Sequence, residues 1–362
     1  MPSATSVTRL FGLGLTPGKL RGLQRISNPN GTLTMVATDQ NSSMINMMKE
    51  ATGKDPSYAE IADAKVMLSR ALAPHCSGLL VDGYYGYAST VAAFAVPATT
   101  GLLIRVEKSG AVKNAAAAPC GEVEPGWGVA KIKRCGADAV KLLAQFELDE
   151  FDSAERNFEF TRQIYNECVK HDILFLLEPL HFGYKVNGEM ETKEATAKRK
   201  ARTVIETARY LGQYCDVYKA EFPGTFGVET DAQLMDNLKK LNDLCPKPWV
   251  LLSAGVDYDK YKKQVEMAMK AGASGILGGR AFWKEFFTYK TATERQHFAE
   301  TECVRRVQET DAIVKSGSPW FKKYGLTTEE LHGIRASEGW HARYGGGAAG
   351  GAAGAVGAGD VY

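Results

Sequence analysis

Residues 173–179 read Ile173-Leu174-Phe175-Leu176-Leu177-Glu178-Pro179, and residues 216–221 read Asp216-Val217-Tyr218-Lys219-Ala220-Glu221. Each is a short apolar run carrying an ionisable residue at or near its C-terminal end. A run that is apolar on both faces is how a strand reads when it lies in a parallel sheet covered by helices. The stretch between them, 193–213, has apolar residues at three- and four-residue spacing, the period of an amphipathic helix. Strand, helix, strand is a βα unit, and the same rhythm continues in both directions. Further apolar runs at 33–38, 78–81, 101–106, 137–143, 249–252 and 275–277 bring the number to eight, and further helices are predicted at 58–72, 157–170, 231–244 and 258–271. Only the third link, rich in alanine and interrupted by Pro119 and Pro125, fits poorly.

Eight strands alternating with helices place the chain in the α/β class. They fit a single closed (β/α)8 TIM barrel at least as well as two doubly wound sheets. The barrel is preferred because it predicts that residues with chemical capacity gather where the strands end. They do so here: Asp39, Asp82, Glu107 and Glu178 follow their runs, Lys141 and Lys219 lie within theirs, and Ser253 and Gly278-Gly279-Arg280 follow the last two. The organisation expected is an N-terminal extension over 1–17, a barrel domain over 18–344 that includes C-terminal helices, and a tail over 345–362. The tail is almost entirely Gly and Ala, too poor in side chains to offset the entropy of ordering, and is expected to be flexible. Amphipathic stretches between 294 and 314 suit either a cap on the barrel or a subunit interface, and a homo-oligomer is expected.

Composition narrows the function. With 44 Lys and Arg against 42 Asp and Glu, the net charge of +2 gives no extended surface for nucleic acid. No apolar stretch reaches the roughly 20 residues of a membrane span. The 7 cysteines are scattered and never form C-x-x-C, which fits reduced thiols in the cytoplasm. The 6 histidines include no H-E-x-x-H, so no metal site is expected, and no G-x-G-x-x-G or nucleophile elbow points to a dinucleotide or a catalytic serine. No cofactor is expected. Arg9, Lys19, Arg21 and Arg25 all precede the first acidic residue, Asp39. A basic helix around 18–25 is preferred there over a transit peptide.

Lys219 carries the central expectation. On a buried strand its ammonium loses solvation and its pKa should fall, more so with Lys141 at a similar height as a second cation, leaving an amine able to attack a carbonyl. The alternative is a simple pairing with Glu221. Glu178, partly buried, should have a raised pKa and act as acid and base, unless it only neutralises a lysine. Asp39 and Gln40 offer groups for substrate hydroxyls, although Asp39, Asn41 and Ser42 could instead cap a helix. Ser253-Ala254-Gly255 and Gly279-Arg280 suit a phosphate, bound by backbone N–H groups and a guanidinium. His181 is placed to touch a substrate.

These motifs carry a resemblance. Val36-Ala37-Thr38-Asp39-Gln40, Gly136-Ala137-Asp138-Ala139-Val140-Lys141, Leu176-Leu177-Glu178-Pro179, Val217-Tyr218-Lys219-Ala220-Glu221-Phe222-Pro223, Leu252-Ser253-Ala254-Gly255-Val256 and Gly279-Arg280-Ala281-Phe282-Trp283 span most of the chain. Over about 18–331 it resembles the class I, Schiff-base tagatose 1,6-bisphosphate aldolases, and it is similar to the related sulfofructosephosphate aldolases. The resemblance implies that Lys219 forms an imine with a sugar phosphate and Glu178 is the acid/base, with Lys141 beside them. It also implies that Asp39, Gln40, Ser253 and Arg280 shape the substrate site, where backbone near Gly255 and Gly279 completes the phosphate site. The reaction implied is reversible cleavage of a ketose 1,6-bisphosphate to dihydroxyacetone phosphate and glyceraldehyde 3-phosphate. A sugar-phosphate-sensing regulator is the non-enzymatic alternative. One position departs from the pattern: where relatives commonly carry arginine after the Asp-Gln pair, this chain has Asn41.

Overall fold

The computed structural model describes residues 6–336 and 338–345. Its centre is a closed barrel of eight parallel strands: β1 (Leu33–Ala37), β2 (Gly78–Asp82), β3 (Gly101–Arg105), β4 (Ala139–Gln145), β5 (Leu174–Leu180), β6 (Val217–Ala220), β7 (Trp249–Leu252) and β8 (Gly275–Gly278). Each strand pairs with its neighbours in sequence, and β8 returns to β1 through Leu33 opposite Gly275. The expected (β/α)8 TIM barrel is therefore the fold, with every apolar run a strand.

Side chains alternate across a strand, so each buried strand serves two cores. One set, including Met35, Leu80, Leu103, Leu176, Val217 and Leu277, fills the barrel. The other set, including Val36, Ile104, Val140, Phe175 and Tyr218, packs against the surrounding helices. The N-terminal end of the barrel is closed by helices Val7–Gly12 and Pro17–Ile26, whose Leu10, Leu23 and Ile26 join Trp320, Phe321 and Leu326 beneath the inner strands. The floor is thus apolar and plugged, and ligand access is left to the C-terminal end.

Helices predicted at 58–72 and 231–244 are found as Tyr58–Leu72 and Asp231–Leu244. Both begin at reciprocal caps, Ser57 with Glu60 and Thr230 with Gln233, which satisfy the otherwise free N–H groups of the first turn. Helix Ser42–Thr52 after β1, signalled only by its candidate cap residues, ends at Gly53, whose φ of 74° glycine adopts without strain. The poorly patterned third link holds a hairpin pairing Val112–Lys113 with Pro119–Cys120, then the short helix Val129–Arg134. The C-terminal helical extension is present. Ala292–Phe298 passes through a π turn into Val304–Val314 and buries Phe298, Cys303 and Val307 in the outer core. The predicted tail falls outside the described residues from 346 onward. Among the described residues no helix is long and apolar enough to cross a membrane.

Closure of the barrel depends on close backbone approach at one position. A Cβ on Gly275, whose φ is +156°, would lie 1.9 Å from the Leu33 carbonyl oxygen. Overpacking of this kind costs about 1–3 kcal/mol, so Gly275→Ala is expected to lower the thermal unfolding midpoint measurably. A variant as stable as the parent would mean that β1 and β8 do not meet in this register.

Candidate active site

Above the apolar layer, the strands direct ionisable side chains inward. Lys141 on β4 is in register with Arg105 on β3, and Glu178 on β5 with Leu143 on β4. The Lys141 ammonium sits 3.1 Å from Asp39 Oδ2, 2.8 Å from Glu107 Oε1 and 2.9 Å from Glu178 Oε2. The other Glu178 oxygen, Oε1, lies 2.8 Å from Nζ of Lys219. One buried carboxylate therefore joins the two lysines. Lys141, Glu178 and Lys219 retain only 1%, 7% and 4% of their accessible surface, so water screens these charges little.

The electrostatics follow from that geometry. Burial alone would favour a neutral Lys141, but the charges of Asp39, Glu107 and Glu178 outweigh it and hold the pKa well above the ordinary lysine value. Burial likewise pushes Asp39 and Glu178 upward, and again the neighbouring cations win: Lys141, Lys219 and Arg105 hold Asp39 low, and Lys141 and Lys219 hold Glu178 below its usual range. Glu107 goes the other way. Its burial outweighs Lys141 and Arg105, and its pKa is raised.

These contacts correct one expectation and exclude one alternative. Glu178 was expected to have a raised pKa because a buried carboxylate loses solvation; two ammonium groups within 2.9 Å reverse the sign. Lys219 was offered Glu221 as an alternative partner, but Glu221 turns to His181, accepting from its backbone N–H at 2.7 Å and lying 2.8 Å from its Nδ1. Lys219 instead pairs with Glu178 on the neighbouring strand β5, inside the barrel.

A cavity of about 420 Å³ opens onto this cluster at the C-terminal ends of the strands. Its walls include Asp39, Gln40, Lys141, Glu178, Lys219, Ser253, Gly279 and Arg280, together with Glu107 and His181. Gly279 N–H donates to Ser253 Oγ at 3.2 Å, bringing the loops after β7 and β8 together. Gly255 is not on the wall. Its φ is +72°, and a Cβ there would lie 3.0 Å from Arg280 Cζ, so the glycine packs closely against the guanidinium, while Ala254 faces the cavity. Asp39 pairs with Lys141 rather than capping helix Ser42–Thr52, which has no side-chain cap bond at Asn41. Gln40 donates to Asp39 Oδ1 at 3.0 Å.

Asp82 is the strand-end residue that does not reach the cavity. It pairs at 2.7 Å with Lys65, a fully buried lysine from helix Tyr58–Leu72. Lys65 also donates to the carbonyls of Thr38 at 2.7 Å and Gln40 at 2.9 Å. The one advance signal was a lysine on the apolar stripe of an amphipathic helix. Arg105, within the third apolar run, was also missed; it lines the cavity and donates to the Asp39 carbonyl at 2.7 Å. Among the described residues no group of three or more His, Cys, Asp and Glu is placed to hold a metal ion.

Removal of Lys141 gives a pH test of the clamp. In the parent, Asp39 and Glu178 are held below their unfolded values of about 4, so they contribute stability that is lost as pH falls through their folded values. Lys141, held above its unfolded value, contributes stability that is lost only as pH rises through its folded value. Lys141→Met removes the cation shared by three buried carboxylates, leaving Glu178 only Lys219 and Glu107 only the more distant Arg105, at a cost of about 3–5 kcal/mol. Their pKa values then rise, so the deficit against the parent should be larger at pH 8 than at pH 5 in chemical denaturation. A deficit independent of pH would mean that the ion pairs do not hold the site.

The sequence model of the DeoC/LacD family aldolases matches residues 33–285. The tagatose 1,6-diphosphate aldolase of Listeria monocytogenes serotype 4a is 30% identical over 88% of this chain and 98% of its own. That of Lactococcus lactis subsp. lactis is 28% identical over 85% and 99%. In fold, the chain is similar to an archaeal fructose 1,6-bisphosphate aldolase, with a TM-score of 0.55 and 16% identity over 83% of this chain and 100% of that one. It is also similar to fructose-bisphosphate aldolase from Plasmodium falciparum, with a TM-score of 0.64 and 12% identity over 88% and 99%.

Proposed function

The chain belongs to the DeoC/LacD aldolase family, and from that premise we propose that it is a class I, Schiff-base aldolase. Its substrate in this reading is a ketose 1,6-bisphosphate such as tagatose 1,6-bisphosphate, cleaved reversibly to dihydroxyacetone phosphate and glyceraldehyde 3-phosphate. The observation that carries it is the single carboxylate of Glu178, 2.8 Å from Lys219 and 2.9 Å from Lys141 inside the cavity. The relatives named as tagatose 1,6-diphosphate aldolases support the choice of sugar.

The chemistry follows from that pair. Lys219 passes a proton to Glu178 along their hydrogen bond, and the free amine adds to the C2 carbonyl of the ketose. Glu178 returns a proton as water leaves, giving a protonated imine. The carboxylate then takes the C4 hydroxyl proton while the C3–C4 bonding electrons move into the imine. An aldehyde departs and an enamine remains. Protonation at C3 and hydrolysis release dihydroxyacetone phosphate and restore the lysine. Lys141, held cationic, keeps Glu178 in its basic form and stabilises developing oxyanions.

We assign the C1 phosphate to Ser253, Gly279 and Arg280, with Gly255 packed against the arginine, so that C2 is fixed against Lys219. Asp39 and Gln40 receive hydroxyls. No resident metal or organic cofactor enters these steps. The same reading has the enzyme acting in the cytoplasm as a homo-oligomer.

Borohydride reduction with dihydroxyacetone phosphate, followed by peptide mass mapping, should place the adduct on Lys219. An adduct elsewhere, or none, removes this mechanism. Lys219→Met should lower kcat by roughly four orders of magnitude or more, and Glu178→Gln by roughly 10²–10⁴. Sugar-phosphate binding without cleavage by the parent protein, with biological output unaltered in Lys219→Met, would point to a regulator instead.

A further inference from the structure

The phosphate assignment above uses one side of the cavity and leaves the other unassigned. In the barrel, β3 lies across from β7, which is followed by Ser253. Arg105 ends β3 and is 93% buried, yet its side chain lines the cavity. Its guanidinium is fixed by the hydrogen bond to the Asp39 carbonyl at 2.7 Å, and its Nε lies 3.8 Å from Glu107 Oε1. That oxygen is closer to Lys141, at 2.8 Å, so Glu107 does not neutralise Arg105 alone. No hydrogen bond among the described residues occupies Nη2.

The surroundings suit a polyol ending in an anion. Three buried acceptors have no hydrogen-bond partner: Gln40 Oε1, whose amide lies beside Gly279, and Asn41 Oδ1 and Glu107 Oε2. All three residues line the cavity. Buried acceptors without donors are costly unless a ligand supplies N–H or O–H groups. Beside them the hydroxyls of Ser42 and Ser109 lie 2.9 Å apart, joining the loops after β1 and β3. Arg105, Ser42 and Ser109 also line a second cavity of about 500 Å³, whose outer wall carries Lys108 and Lys113. The two spaces meet at Arg105, which leaves room for a tetrahedral group and a basic approach to it.

We infer that Arg105, with the hydroxyls of Ser42 and Ser109, holds the terminal oxyanion of the aldehyde half of the substrate. That group is a phosphate or a sulfonate, and the hydroxyls next to it donate to Asn41 and Glu107. The inference rests on the Schiff-base reading, because that reading defines which half of the substrate lies here.

The test runs in the condensation direction, with dihydroxyacetone phosphate as donor. Three acceptors are compared: glyceraldehyde 3-phosphate, glyceraldehyde, and the aldehyde with a sulfonate in place of that phosphate. A charge-assisted contact predicts that Arg105→Met lowers the ratio of kcat/KM for glyceraldehyde 3-phosphate over glyceraldehyde by roughly ten- to hundredfold. The loss should lie mainly in KM, with partial recovery in Arg105→Lys. Ser109→Ala, which keeps the arginine, should lower the same ratio to a smaller extent and serves if Arg105→Met does not fold. A larger drop for one anionic acceptor identifies the terminal group, and equal drops for both support the shared oxyanion chemistry. An unchanged ratio, with both acceptors weakened alike, would overturn the inference and leave Arg105 as a support for Asp39. Trapping on Lys219 with dihydroxyacetone phosphate alone separates the two claims. If the trap fails, the Schiff-base reading falls; if it succeeds while the ratio stays fixed, only this inference falls.

Discussion

The Lys141 ammonium, enclosed by the carboxylates of Asp39, Glu107 and Glu178, is the constraint on which the rest of the site depends. Moving an ion from water into a protein interior costs several kcal/mol even after relaxation, and only close, well-directed counter-charges offset it. Here the counter-charges come from the loops after β1 and β3 and from β5, so one buried cation ties three segments of the barrel rim to β4. The segment after β1 is held twice over. Three successive carbonyls, those of Thr38, Asp39 and Gln40, each accept from a buried cation, Lys65 for the outer two and Arg105 for the middle one. Asp39 and Gln40 are therefore fixed before any ligand arrives.

The barrel makes this arrangement possible. Leu80, Leu103, Leu176 and Val217 fill the interior beneath the charged layer, and the helices at the N-terminal end close it from below. A lysine emerging from the inner face of β4 or β6 has no route to water downward, and its length carries its nitrogen only as far as the carboxylates. Strand periodicity sets which residues of β3, β4, β5 and β6 enter this layer, and the loops after β1 and β3 add Asp39 and Glu107. Lys141 and Arg105 share a register row, and Leu143, two residues along from Lys141, pairs with Glu178.

That periodicity explains how much of the molecule was legible in the chain. Strands that are apolar on both faces stand out, and an ionisable residue inside such a run, as with Lys219 and Lys141, is conspicuous. Capping boxes such as Ser57 with Glu60 make helix starts readable. Contact partners were readable only in part: Glu178 beside Lys141 and Lys219 was, the consequence of that contact and the partner of Asp82 were not. The direction of the Glu178 shift depends on two ammonium groups that are distant in sequence, and burial by itself gives the opposite sign. Asp82 occupies the same kind of position as Asp39, but Lys65 from a neighbouring helix draws it out of the cavity. Arg105 lies inside such a run as well, but near its end and beside Glu107, where a strand-end arginine reads as readily as a solvated side chain. Gly255 illustrates a further limit, since a glycine next to a binding loop can pack against the guanidinium of Arg280 rather than line the cavity.

The balance of charge also bears on how the covalent step can proceed in so enclosed a place. Lys141, Lys219 and Arg105 face Asp39, Glu107 and Glu178, three cations against three carboxylates. In the proposed reaction the Lys219 ammonium is replaced by an iminium of the same charge, so the buried cluster does not have to change its net charge when substrate is captured. What changes is the number of protons on nitrogen, from three to one. The ammonium that occupied Glu178 Oε1 becomes a weaker hydrogen-bonding partner, while Oε2 stays anchored to Lys141. Imine formation thus releases one oxygen of a carboxylate whose position is already fixed, and that oxygen is the base that the cleavage of C3–C4 requires.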